Sequence, residues 1–450
     1  MFGGLRTTYV ILGTASFLFL LWIGACSPAA DSVPGPAAPS MVRTPKPPPN
    51  PCDADNGGLT LPTGFCAAVF ADNLGAARHI AVATNGDVYV AIANRGTSTG
   101  GVIGLRDTDG DGRSDQRAKF GDNGGNGVAY LAPYLYFAQD DRVLRYGFGR
   151  KSIAPTSTAT VISGLPSVTE HVTKTIAFRD ATLMYINIGS ASNSCQVANR
   201  QAGSPGIDPC PELATRAGVW SLDPRVLDQS PSSAGVQRVA TGLRNMVALA
   251  TDVSGQLFGV QMDRDNLAEN WPALYSSADD ARLPAEEFIR IDQGTDFGWP
   301  YCYYDATLNA KVLAPEYGGD KVTVGRCAGM SGPLLSLPAH WAPLSMTFYQ
   351  GTAFPSRYRG GAFVAFHGDY FWGTRPRSDS PGYNVVFVPF GAGAPTGAWE
   401  VFADGFAGAS ATSRATAAYR PTGLAQGPDG SLYVADDVKG RVWRIVYRGI

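Results

Sequence analysis

Asn85-Gly86-Asp87-Val88-Tyr89-Val90-Ala91 returns near the other end of the chain as Asp429-Gly430-Ser431-Leu432-Tyr433-Val434-Ala435. Each phrase is a turn dipeptide followed by alternating apolar residues, which reads as a hairpin feeding a half-buried strand. Fainter copies lie between them, at Tyr134-Leu135-Tyr136-Phe137-Ala138, Thr182-Leu183-Met184-Tyr185-Ile186 and Ser254-Gly255-Gln256-Leu257-Phe258. A unit repeated at intervals of tens of residues signals an array of small sheets.

Working outward from these copies gives six segments of one plan, at residues 80–105, 127–146, 175–220, 246–291, 345–388 and 422–445. Early segments start about 47 residues apart, the period of a four-stranded propeller blade. Later intervals are longer, and the excess lies in Gly/Pro/polar stretches at 192–215 and 302–335, read as loop insertions on one face. No long amphipathic helical pattern interrupts the series, which argues against an α/β alternation. The expected fold is all-β: a six-bladed β-propeller of four-stranded antiparallel blades, with seven blades as the alternative. Residues 59–69 have no blade of their own and are expected to supply the outer strand of the last blade, closing the ring and removing its open edges. The 54 Gly and 32 Pro among 450 residues suit many short strands and tight turns.

Three regions are expected. Residues 1–26 read as a lipoprotein signal peptide: Arg6, an apolar run from Tyr9 to Ile23, then Ile23-Gly24-Ala25-Cys26, which resembles a bacterial lipobox with Cys26 as the lipidated residue. Ser27 after it points to the outer membrane of the bacterial periplasm, so the membrane is met through the lipid anchor alone. Residues 27–58, rich in Pro, Ala and Ser, read as a disordered tether. Residues 59–450 form the propeller domain. A formal charge of −2 with scattered Lys and Arg excludes a nucleic-acid footprint. Of seven Cys, six remain beyond Cys26, an even number in an oxidising compartment. Sequence neighbours pair most economically, as Cys52–Cys66, Cys195–Cys210 and Cys302–Cys327, although six cysteines allow about fifteen connectivities.

Propeller sites lie at the mouth of the central channel, beside the innermost strands, and uncommon polar residues fall there. His171, one of four His, precedes the third blade. An imidazole is the usual general base at neutral pH, the bland alternative being a hydrogen-bonded loop histidine. Arg244-Asn245 opens the fourth blade and Arg420-Pro421 the sixth. An Arg beside an apolar strand is costly unless it meets an anion or a carboxylate, so the pair suggests a shared anionic ligand or interblade salt bridges. The Gly/aromatic loop from Gly294 to Cys302 pins a corner or walls a pocket for a flat ligand. Asp107, Asp109, Asp111 and Asp115 alternate around Gly110 like the first part of a calcium loop, but Ala118 stands where the bidentate Glu belongs. A calcium ion there would be structural.

Together these residues resemble the PQQ-dependent sugar dehydrogenases, six-bladed quinoprotein propellers, and in particular their L-sorbosone dehydrogenase-like branch. The resemblance covers roughly residues 61–447. It rests on His171, Gly242-Leu243-Arg244-Asn245, Phe297-Gly298-Trp299-Pro300-Tyr301-Cys302, His367-Gly368, Gly382-Tyr383, and Arg420-Pro421-Thr422-Gly423 with Pro428-Asp429-Gly430. It implies hydride abstraction from a sugar or aldehyde to the PQQ quinone, and a quinone or cytochrome as the later electron acceptor. His171 matches the base and Arg244 the Arg near the reactive carbonyl. Asn245 and Arg420 match residues that hold PQQ. His367 lies closest to the family's PQQ-gripping Lys, and Asn126, in Gly125-Asn126-Gly127, replaces a more usual Pro-His-Gly. The calcium ion that accompanies PQQ maps onto backbone oxygens at Met262, Asp263 and Arg264.

One departure bears on chemistry. The glucose-oxidising members carry a Gly-Asp whose carboxylate orients the base; this chain has Gly189-Ser190. Two competing readings follow: a non-catalytic propeller lipoprotein binding carbohydrate or a partner protein, and a calcium-dependent lactonase using Asp263 and Asp265.

Overall fold

The computed structural model describes residues 52–97, 99–375 and 380–449. The leader, Cys26 and most of the expected tether lie outside them. The two phrases quoted first form Val88–Ile92 and Leu432–Asp436, each paired antiparallel on both sides, with Val88 opposite Leu105 and Leu432 opposite Ile445. Gly86 and Gly430 take the turn at φ 91° and 81°, a left-handed conformation that favours glycine. Each turn is tied to the third strand of its sheet by the same device, Asp87 to Arg106 at 2.6 Å and Asp429 to Arg444 at 2.5 Å.

Six blade sheets follow: five have four strands, and the third adds to its four antiparallel strands a short fifth, Thr295–Asp296, paired parallel to Gln237–Thr241. Their innermost strands are Ala77–Val82, Gly125–Leu131, Ile176–Asp180, Asn245–Thr251, Pro343–Phe348 and Pro421–Gln426, and these contact one another around the ring. Phe65–Ala71 pairs with Val442–Tyr447 in the last blade, Phe65 opposite Tyr447, so the chain's first strand closes the ring as expected. Apolar side chains fill the wedges between blades. Val88, Val90 and Leu105 of the first blade pack against Tyr433, Ala435 and Val442 of the last. Each fully buried Val or Leu among them contributes about 1.5–3 kcal/mol.

All three expected disulfides are present. Cys52–Cys66 corrects the tether boundary at 58. Asp53 donates its N–H to the Ala67 carbonyl at 2.8 Å and accepts from Val69 N at 2.7 Å, while Trp443 Nε1 donates to the Gly57 carbonyl. Residues 52–58 are therefore part of the folded domain, because a covalent link and paired backbone groups offset their ordering entropy. The insertions at 192–215 and 302–335 meet each other: Cys195, Cys210, Cys302 and Cys327 share a small core with Trp299 and Tyr301. Trp299 is buried and donates to the Asn193 carbonyl at 2.9 Å, so the Gly/aromatic loop pins a corner.

Candidate active site

A cavity of about 730 Å³ opens among the loops that flank the inner strands, bounded by His171, Met262, His340, His367 and Arg420. Polar side chains stitch the inner strands together. His79 Nε2 lies 2.6 Å from the Leu344 carbonyl, and Thr175 donates to Val247 O and Thr422 to Ala77 O.

On the blade-three side, His171 adopts φ 50°, an uncommon conformation for a residue with a Cβ. Gly189 permits it: a Cβ there would stand 2.6 Å from that of His171. His171 Nδ1 lies 2.9 Å from Ser190 Oγ and 3.3 Å from Ser190 O. Its Nε2 is 3.8 Å from Glu170. Burial and the charge of Arg244 push its pKa down to about 3, so the ring is neutral at neutral pH. Burial would raise Glu170, but the Arg200 fork, at 2.8 and 2.9 Å, together with Asn199 lowers it to about 2.

Arg244 is expected at the reactive centre, but it stands behind the cavity wall with its side chain 1% exposed. Its nitrogens donate to Asn193 O at 3.2 Å, Asn193 Oδ1 at 3.0 Å, Asp265 Oδ2 at 2.9 Å and Asp263 O at 2.6 Å. A buried guanidinium takes whatever acceptors the loops offer, and here they satisfy it fully. The Met262 carbonyl, at 3.4 Å, faces the same guanidinium. Those two carbonyls are the expected calcium ligands, and a divalent cation on them would abut a fixed positive charge. Arg264 is turned into a buried ion pair with Glu316. Residues 262–264 therefore do not fit a calcium ion. Asp265, the lactonase candidate, is held well below the usual carboxylate range: its burial is outweighed by Arg244 and His340. His340 Nδ1 lies 3.6 Å away, and although burial opposes its charge, Asp265 pushes its pKa up to about 9. Asn245 also lies back from the cavity; its Nδ2 meets Met262 Sδ at 3.7 Å and its buried Oδ1 has no partner among the described residues.

The opposite wall comes from blades five and six. His367 Nε2 lies 3.0 Å from Asp437, which also accepts from Arg78 at 2.9 Å. Burial lowers His367 to about 4 despite Asp437. Arg420 is 8% exposed; its guanidinium donates to the carbonyls of His367 at 3.0 Å and Gly368 at 3.2 Å and, among the described residues, pairs with no carboxylate, although Asp437 is near enough to favour its charge. Arg414 lies over the Tyr370 ring at 3.9 Å. Asn126 does not line the cavity: it accepts from Arg78 Nε at 2.9 Å and donates to Thr175 at 3.2 Å, a stitch between inner strands.

The structure thus brings together His171, His367, Arg420 and the side chain of Met262, and sets Arg244, Asn245 and Asn126 behind them. His340 escaped the sequence reading. Its position directly before the fifth inner strand, like that of His171 before the third, is the signal that reveals it. Asp107, Asp109 and Asp115 do converge, with oxygens within 4.8 Å of one another, while Asp111 caps the Arg113 N–H at 2.8 Å instead.

Residues 59–448 match the family profile described as TrAA12-like. The chain belongs to this family. Among curated relatives it is 27% identical over 341 residues to a pyrroloquinoline quinone-dependent pyranose dehydrogenase of Coprinopsis cinerea, a match covering 65% of this chain and 42% of that protein. The chain spans less than half the length of the curated relatives it matches. Its fold is that of the holo pyranose dehydrogenase PQQ domain from the same fungus, with TM-score 0.68, 21% identity, and 86% and 97% of the two chains covered. A calcium structure of a Trichoderma reesei Carbohydrate-Active Enzymes Family AA12 protein gives TM-score 0.68 at 19% identity, covering 88% and 99%. The resemblance to PQQ-dependent sugar dehydrogenase propellers therefore holds at the level of the family, whose characterised relatives are oxidoreductases. The sorbosone branch is not among these relatives.

Proposed function

We propose that this protein is a PQQ-dependent dehydrogenase that oxidises an aldose, or an aldehyde-bearing sugar of the sorbosone kind. The observation that carries the reading is a single cavity holding a neutral imidazole, His171, opposite the buried guanidinium of Arg420, which among the described residues donates to carbonyls and pairs with no carboxylate. PQQ is a flat, tricarboxylate quinone. Arg420 and Arg414 suit its carboxylates, Tyr370 and Phe371 give apolar wall, and about 730 Å³ lies in the range of cofactor pockets. Bound PQQ supplies the two-electron acceptor for a hydride.

The chain's own residues handle the rest. Oxidising a carbinol carbon releases a hydride and the hydroxyl proton; Nε2 of neutral His171 accepts that proton. Glu170, ionised and near Nε2, favours the imidazolium that results. The Arg420 fork, fixed on two carbonyls, orients an anionic cofactor without having to reorganise. Met262 and Asp263 need no calcium in this account, since Arg244 supplies their cation. A calcium ion at Asp107, Asp109 and Asp115 would stabilise a hairpin only. The three disulfides support an oxidising compartment, and the lipobox-like Cys26 supports an anchor on a periplasmic membrane, with a quinone or cytochrome receiving the electrons.

The test is to add PQQ to purified protein and follow its absorbance and dye reduction with a panel of aldoses. Saturable binding with turnover supports the reading. Binding without turnover favours a carbohydrate-binding lipoprotein, and no binding rejects PQQ.

A further inference from the structure

His171 has no carboxylate on its Nδ1, yet its tautomer is set by the loop behind it. Ser190 Oγ donates its one proton to the Ser192 carbonyl at 2.6 Å. With that proton committed, Ser190 Oγ can only accept, and so can the Ser190 carbonyl. Both acceptors face His171 Nδ1, at 2.9 and 3.3 Å, so the ring proton must reside on Nδ1. Nε2 is then left unprotonated, with no hydrogen-bond partner among the described residues.

The loop that carries Ser190 is itself braced by Glu212, which accepts from Ala191 N at 2.5 Å, from Ser192 N at 3.2 Å and from the Ser192 hydroxyl. Ser192 Oγ accepts in turn from Cys195 N at 2.9 Å, and Cys195 is bonded to Cys210, two residues before Glu212. Ser190 N donates to Arg244 O at 2.8 Å, and Glu170 N to Ala191 O at 3.2 Å.

We propose that Ser190 is the positioning residue of the base, a neutral relay that replaces an orienting carboxylate and is anchored through Ser192 to Glu212, just beyond the Cys195–Cys210 loop. The relay holds His171 in the Nδ1–H tautomer and presents a bare Nε2 to the cavity. The charged groups around the ring are Glu170, Arg200, Arg244 and Asp265, and none of them reaches Nδ1. This inference rests on the sugar-oxidising reading for its purpose, but not for its geometry.

The tautomer can be read without substrate. Full-length protein labelled with ¹⁵N-histidine contains four His, and the His171 resonances are assigned by their loss in His171→Gln. The expected spectrum has Nδ1 protonated and Nε2 unprotonated at neutral pH. Ser190→Ala removes the 2.9 Å acceptor and leaves only the longer 3.3 Å carbonyl contact on Nδ1, so it should shift His171 towards the other tautomer and lower kcat on the order of tenfold, the size of a lost orienting hydrogen bond, with KM little changed. Ser190→Thr, which keeps the hydroxyl, should restore both. A wild-type His171 protonated on Nε2 overturns the inference, as does a Ser190→Ala protein that retains the wild-type tautomer. If Ser190→Ala does not fold, the wild-type spectrum alone still decides. Aldose turnover with the wrong tautomer refutes the relay and leaves the sugar-oxidising reading intact. The right tautomer without turnover upholds the relay and counts against that reading.

Discussion

The two walls of the cavity are built on opposite terms. On the side of blades three and four, the Arg side chains and the histidine nearest the cavity each have a protein partner: Arg244 with Asp265, Arg200 with Glu170, His171 with Ser190. On the side of blades five and six, the buried Arg420 guanidinium lines the same space and, among the described residues, pairs with no carboxylate. A satisfied network gains nothing from an added ion and serves to fix geometry. An unpaired buried cation is costly until an anion arrives. The first wall therefore positions a base, and the second waits for a charged ligand.

The largest effect should come from the first wall. Replacing His171 with Ala should lower kcat on the order of a thousandfold while leaving PQQ affinity near wild type, since general bases contribute about 10²–10⁴; steady-state rates beside an absorbance titration check both halves. Next is Arg244→Met, which strips a buried partner from Asp265 and should cost about 3 kcal/mol of stability in chemical denaturation. If Arg244 instead gripped the cofactor directly, the loss would appear in PQQ affinity and stability would hardly change.

On the second wall, Arg420→Gln should weaken PQQ binding by roughly thirtyfold, the equivalent of about 2 kcal/mol for a charge-assisted bond, with the fold unaffected. Equal losses of stability and affinity would erase the distinction between the walls. His340 offers a pH test of the satisfied side. Its folded pKa, about 9, lies above its ordinary value, so its stabilisation is full below about pH 6.5 and fades as pH rises through 9. The Tm gap between wild type and His340→Gln should therefore narrow across that window. The smallest effect belongs to Asp109→Ala at the exposed acidic turn, expected to stay within about 0.5 kcal/mol with or without calcium.

How far the sequence carried this contrast depends on what each residue answers to. The blades are legible because a turn dipeptide and a period-two strand recur, and both are local patterns. His171, His367 and Arg420 are legible for a related reason: each lies beside an inner strand, and the ring brings such places to one mouth. Arg244 also opens an inner strand, yet it faces away. Its partners Asn193 and Asp265 come from loops whose path depends on the meeting of two disulfide-clamped insertions, a tertiary event with no sequence period. The same insertions supply Glu212 and bring Ser190 behind His171, so a site that appears to lack its orienting group turns out to have a neutral one. Cys52–Gly58 looked like tether because composition does not record a strand pairing made with the far end of the chain.

The most direct measurement is a single turnover. Wild-type protein loaded with PQQ, mixed anaerobically with an aldose, should lose its quinone absorbance as the sugar is oxidised, and His171→Ala loaded to the same level should keep it. A quinone band that persists in the wild type across a broad panel of aldoses and aldehyde sugars, or bleaching that proceeds equally well without His171, would contradict the account.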